Sequence, residues 1–189
     1  SIHTMSVQYD KRTFTGMDIL RYYLLKTEPF DLNVVWNKIF KLDLFNGVVP
    51  VRFPKGRVQE DNFTIFMLFL NANSIVTVNE PLYYYVQRAG SIMATFTRRF
   101  MIDTIESHIY MSDYLMNHCS SVKNELQLYL LNSYVELSRR VCANKCKKEY
   151  NDLLIQYKHY VLDHTADTSH NPMWKCKQYI KRLLVKLYY

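Results

Sequence analysis

The spacing of hydrophobic positions changes near residue 95, and the two stretches on either side read differently. Residues 16–26 (GMDILRYYLLK) carry apolar side chains at helical spacing and stop before Pro29, which predicts a helix. Residues 34–45 (VVWNKIFKLDLF) predict a short helix running into an extended piece. The segment NGVVPVRFPKGR holds three turn signals around a short strand candidate. Residues 58–72 (VQEDNFTIFMLFLNA) have apolar residues on all sides, the pattern of a helix buried on most faces. Residues 74–78 (SIVTV) and 82–86 (LYYYV) are rich in β-branched or aromatic residues and predict strands, separated by Asn79-Glu80-Pro81.

From Thr95 onward there is no glycine and one proline, Pro172. Residues 95–117, 121–143 and 147–163 each show helical periodicity, and in the third Tyr150, Leu153, Leu154, Tyr157, Tyr160 and Val161 form one stripe. Residues 163–171 read as a polar linker, and Pro172 opens a last helix. The expected fold is α+β and predominantly helical, with a mixed first part over 1–93 and a helical, bundle-like part over 94–189.

Composition narrows the classes. With 49% hydrophobic and 15% aromatic residues in 189, the chain has the material for a packed core, which excludes a disordered or collagen-like protein. No apolar run approaches the ~18 residues of a spanning helix, so a soluble chain is expected. The four glycines (Gly16, Gly47, Gly56, Gly90) are scattered, and neither a P-loop nor a dinucleotide fingerprint can be written with them. Four cysteines in a chain of this size point to a reduced, cytoplasmic setting; Cys142 and Cys146 lack the further ligands of a conventional zinc site, and no metal site is expected within the chain.

The net charge of +7 is concentrated late: residues 119–189 hold 12 basic and 6 acidic side chains. From Met173 to Tyr189 there are five basic residues and no acid, and Met173, Cys176, Ile180, Leu183 and Leu187 make an apolar stripe. Two readings stay open, an amphipathic helix lying on the inner face of the plasma membrane or a core-packing helix with a lysine-rich outer face. Nucleic acid is not an expected partner, because no RNA- or DNA-binding motif accompanies the charge.

The acidic pair Glu60-Asp61 stands before the apolar run 63–70. Carboxylates at a helix start are ordinary, and the dipole there favours their ionised form. An ionised carboxylate on a cleft floor can also take a proton from an incoming hydroxyl. Around the pair, VWNKIF, RFPKGRVQEDNF and LYYYVQRAGSI follow one another. Trp36 with Lys38, Phe53-Pro54 with Gly56, Glu60-Asp61, and Tyr83, Tyr85, Arg88 and Ser91 together resemble the C-terminal half of family 2 glycosyltransferases, the inverting enzymes of GT-A fold. Many of these build bacterial cell-surface polysaccharides. The resemblance covers roughly residues 14–95.

It implies a nucleotide-sugar donor and a sugar or lipid-linked acceptor. Asp61 would then be the general base, Glu60 would orient the acceptor or support Asp61, Trp36 would be a stacking face for sugar (or a core tryptophan), Arg88 a clamp on the diphosphate leaving group, and Lys38 and Ser91 further substrate contacts. Arg88 equally fits a solvated loop arginine, and Lys38 more readily a lysine on a helix surface. The family's nucleotide-binding half and its metal-binding Asp-x-Asp have no counterpart in this sequence. The resemblance therefore implies a Mg or Mn ion bound by residues absent from this chain, and a chain inactive by itself. A different class, a non-catalytic helical module docking to membrane or partner through its basic end, is the alternative.

Overall fold

A computed structural model describes residues 11–27, 31–47, 49–78, 80, 82–84, 86, 96–165 and 180–186. The chain divides into two compact units, Ser1–Thr95 and Phe96–Tyr189, and is predominantly helical as the sequence pattern predicts.

In the first unit, strand β1 (Thr13–Phe14) leads into helix α1 (Gly16–Leu25). Thr15 closes the helix start with a capping box: its Oγ1 accepts from the Asp18 N–H, and Asp18 Oδ2 accepts from the Thr15 N–H. Lys26 ends α1 in the left-handed region at φ 52°. Ile19, Leu20, Tyr23 and Leu24 form the buried face of α1, and α1 packs on helix α2 (Ile65–Asn71). Five consecutive α2 residues, Ile65 to Phe69, are buried, which fits the all-round apolar pattern of that run. The two helices approach closely at Gly16, whose N–H donates to Ala72 O at 3.2 Å. Strand β2 (Ile75–Val76) pairs antiparallel with β1, Thr13 opposite Val76 and Phe14 opposite Ile75.

Three expectations change here. The helix expected over 58–72 begins at Ile65, and residues 58–64 are successive turns. Gln59 adopts φ 62°, which an α-helix cannot contain, so the chain starts its helical ladder only where Ile65 N–H reaches Asp61 O at 2.8 Å. Residues 34–45 form no α-helix; a turn at 36–37 is followed by a 3-10 turn over Leu42–Phe45. The Lys38 side chain takes the Val34 carbonyl, the first that a helical ladder over 34–45 would use. Of the two expected strands, 74–78 contributes β2, whereas the described residues of 82–86 have no ladder; the strand candidate around 51 forms no ladder either, and the Val51 N–H donates to Phe45 O at 3.0 Å. The strand that does pair with β2, at Thr13–Phe14, has no periodicity of its own to announce it.

The second unit is built from α3 (Arg98–His118), α4 (Lys123–Ala143) and α5 (Lys147–His164), all three packed on one another. A 3-10 turn over Ser120–Val122 joins α3 to α4. Lys145, at φ 56°, turns the chain between α4 and α5. The core gathers Met101 and Ile105 of α3, Leu130, Leu131, Tyr134, Val135, Leu137 and Val141 of α4, and Tyr150, Leu154, Tyr157 and Val161 of α5. The α5 stripe thus packs inward, with Leu153 and Tyr160 partly buried against the same core. Two buried polar groups of the bundle have partners: Asp103 accepts from Arg99 Nε at 2.8 Å, and His108 Nδ1 lies 2.9 Å from Tyr157 OH. Ser112 Oγ and Tyr134 OH are buried without a hydrogen bond among the described residues. Cys119, Cys142 and Cys146 are free thiols.

Of the basic end, residues 180–186 are described and helical. Val185 is fully buried in the bundle core and Leu184 packs against it. Arg182 Nη1 donates to Leu162 O and to Thr165 Oγ1, both at 2.9 Å. The expected stripe members Ile180 and Leu183 instead face outward, 52% and 44% exposed. The described part of this segment is therefore core-packing on one side and apolar on its outer side. Met173, Cys176 and Leu187 lie outside the described residues. No helix among the described residues is long and apolar enough to cross a membrane.

Candidate functional site

The described motif residues of the first unit lie outside its helices and strands. Residues 31–38 form an irregular loop in which Leu32 is the buried residue. Its fold is set by polar side chains. Asp31 Oδ1 accepts from the Asn33 N–H at 3.0 Å, an Asx turn. Lys38 Nζ donates to Asp31 O at 3.0 Å, to Val34 O at 2.5 Å and to Asn37 Oδ1 at 2.6 Å. Asn37 Nδ2 donates to the same Asp31 carbonyl at 3.0 Å. Lys38 is half-buried, and burial pulls its pKa down to about 8 against the opposing attraction of the Asp31 and Asp61 charges.

Asp61 lies in the turn series before α2 and is half-buried; Glu60 is exposed. Asp61 O accepts from the N–H groups of Thr64 and Ile65, and its Oδ1 from the Asn62 N–H at 3.2 Å. Burial raises its carboxyl above the usual carboxylate range, the Glu60 charge adds to the rise, and Asp31 adds a smaller push; backbone N–H groups of Asp61 and Asn62 partly oppose it. The dipole argument from sequence expected an ionised, stabilised carboxylate. The pair instead precedes a helix of seven residues, and desolvation is the largest effect on the Asp61 carboxyl.

Gln59, directly before the pair, holds its left-handed backbone with its side chain accepting from Asn62 Nδ2 at 2.9 Å. Strain of this kind persists where surrounding contacts over-determine it. The Phe53-Pro54 turn ends at Gly56, φ 71°, a conformation that favours glycine.

Trp36 is not a core residue: its side chain is 40% exposed and stacks on Tyr83, itself exposed. Two residues missed by the sequence reading join the set. Asp31 acts by charge on both Lys38 and Asp61, and Asn37 closes the loop; the signal available was the Asp-x-Asn turn five residues before Trp36. Tyr85, Arg88 and Ser91 lie outside the described residues. Among the described residues, no group of three or more His, Cys, Asp or Glu is placed to hold a metal ion.

Such a set offers a half-buried carboxyl, a half-buried cation within reach of its charge and an exposed pair of stacked aromatic rings. Glycosyltransferase GlyA of Streptococcus pneumoniae (serotype 4, strain ATCC BAA-334 / TIGR4) is 23% identical to this chain over 129 residues, 67% of the chain and 18% of GlyA. Glycosyltransferase GlyG of the same strain is 43% identical over 58 residues, 31% of the chain and 18% of GlyG. The chain is thus similar to glycosyltransferases, over about a fifth of the length of each of these two relatives. No protein-family model and no solved structure matches it.

Proposed function

We propose that this chain is the acceptor-side part of an inverting, nucleotide-sugar-dependent glycosyltransferase of family 2 and GT-A fold, acting in bacterial cell-surface polysaccharide synthesis. The observation that carries the reading is Asp61, a half-buried carboxyl with a raised pKa in the acidic pair that the family motif singles out. A base is more effective when its pKa lies nearer the working pH, so partial desolvation of Asp61 strengthens it as a proton acceptor. The acceptor hydroxyl would give its proton to Asp61 as its oxygen attacks the anomeric carbon from the face opposite the leaving nucleotide. One displacement inverts the configuration. Trp36 on Tyr83 provides an apolar platform for a sugar ring, and Glu60 an exposed carboxylate for sugar hydroxyls.

Arg88 would clamp the diphosphate and Ser91 would contact substrate; both rest on the motif alone. The divalent cation implied by the family does not fit the residues described here, and no step is assigned to it. The test is Asp61→Asn in the longer transferase, with product formation and donor binding measured separately. Transfer should be lost and donor binding kept; undiminished turnover sinks the assignment.

A second reading is supported by the outward-facing Ile180 and Leu183 of the basic end. There the segment from Met173 to Tyr189 docks the chain on an anionic membrane surface, which would suit a lipid-linked acceptor. Co-sedimentation with vesicles containing phosphatidylglycerol should weaken in Ile180→Ser/Leu183→Ser. Equal sedimentation of variant and parent refutes this reading and leaves the first intact.

A further inference from the structure

We propose that Lys38 is a positioning residue, the internal cation around which residues 31–38 close to form the loop that presents Trp36, and not itself a sugar contact. Its bearing on the sugar rests on the transferase reading; the loop closure stands apart from it. An ammonium carries three N–H donors and no acceptor. All three are engaged inside the loop, on the carbonyls of Asp31 and Val34 and on Asn37 Oδ1. Asn37 returns to the Asp31 carbonyl through Nδ2, so lysine and asparagine together tie residue 31 to residues 37 and 38. Trp36 sits inside this knot.

The knot takes the place of what usually fixes a loop. No helical or strand ladder runs through 31–38, and Leu32 is its buried anchor. The exposed Trp36 and the almost wholly exposed Ile39 contribute little burial. An arginine would be a poor substitute, because its planar fork cannot aim three donors at oxygens arranged around a tetrahedral nitrogen. The charged groups that act on Lys38 are Asp31, within the loop, and Asp61, before α2. They favour the cation there without taking its hydrogen bonds.

Trp36 reports on the loop directly. The chain has two tryptophans, so Trp174→Phe leaves Trp36 as the single indole. In that background, Lys38→Met should red-shift the Trp36 emission and raise its quenching by acrylamide, with far-UV circular dichroism unchanged. Asn37→Ala should act in the same direction, Lys38→Arg should recover only part of the change, and Asp61→Asn should leave Trp36 as it was. Parent-like emission and quenching in both Lys38→Met and Asn37→Ala overturn the proposal, as does full recovery by arginine. If Lys38→Met fails to fold, Asn37→Ala decides alone. Titration with a panel of methyl hexosides separates the two readings. Loss of binding in Lys38→Met alongside the fluorescence change extends the role to the sugar. A fluorescence change in a chain whose parent binds none of the panel supports the loop role while counting against the acceptor site.

Discussion

Trp36 and Tyr83 stack with ring centroids 4.8 Å apart and planes 28° apart, an aromatic contact between two exposed side chains. Aromatic contacts of this kind are worth ~0.5–1.5 kcal/mol beyond the area they bury. An acceptor sugar that covers the outer face of Trp36 should bind more weakly in Trp36→Ala, about tenfold for each ~1.4 kcal/mol of apolar burial removed. Calorimetric titration of the chain with acceptor oligosaccharides measures it; unchanged affinity removes Trp36 from the site.

Asp61→Asn should lower transfer by ~10²–10⁴-fold in the longer enzyme, the usual contribution of a general base. The same substitution should not weaken the fold. A carboxyl whose folded pKa is raised contributes stability below its unfolded pKa, about 3.9. That contribution is lost as pH rises through the folded value. Asparagine carries no such penalty and keeps an acceptor for the Asn62 N–H. Urea midpoints at neutral pH should therefore be equal to or higher than the parent's, and a marked drop would show that Asp61 is a structural residue.

Lys38 has the opposite pH signature. Its folded pKa is about 8, against about 10.4 in an unfolded chain. Between these values the unfolded state binds more protons, so stability should rise with pH across that window. Burial makes the ammonium costly to hold in the loop, and its three hydrogen bonds offset only part of that cost. Denaturation midpoints collected from about pH 7 to about pH 10.4, parent against Lys38→Met, should show an upward component in the parent that the variant lacks. Parallel profiles would mean that the lysine titrates as if in water.

Gly16 opens α1, where alanine would ordinarily favour the helix by up to ~1 kcal/mol. Here a Cβ would lie 1.9 Å from Phe69 O and 2.4 Å from Ala72 O, both backbone atoms of the neighbouring segment. Gly16→Ala must push the two helices apart, and overpacking of this kind costs ~1–3 kcal/mol. The urea midpoint should fall; a gain in stability would show that the helices part at little cost.

Long periodic segments were legible from the sequence. The α5 stripe from Tyr150 to Val161 and the all-buried run from Ile65 to Phe69 were both visible as spacing, because burial leaves its mark on every turn. The loop around Trp36 was not, because its shape depends on which carbonyls Lys38 and Asn37 reach. Nor was the late start of α2, which turns on the backbone angle of one residue, Gln59, of a type that gives no warning. The pairing of Thr13–Phe14 with Ile75–Val76 joins segments far apart in the chain, and two residues are too few to show alternation. At the candidate site, motif order pointed to Trp36, Lys38 and Asp61, while the charge of Asp31 on Lys38 and Asp61 depends on how the loop folds.

Arg182 is fastened to the end of α5 through Leu162 and Thr165, and Val185 is enclosed in the bundle. A synthetic peptide copied from this segment would set both residues loose. It would offer a lipid bilayer a valine and a guanidinium that the intact protein withholds, and would exaggerate any affinity for membranes. Measurements of that affinity belong on the whole protein, with changes confined to the outer side of the helix.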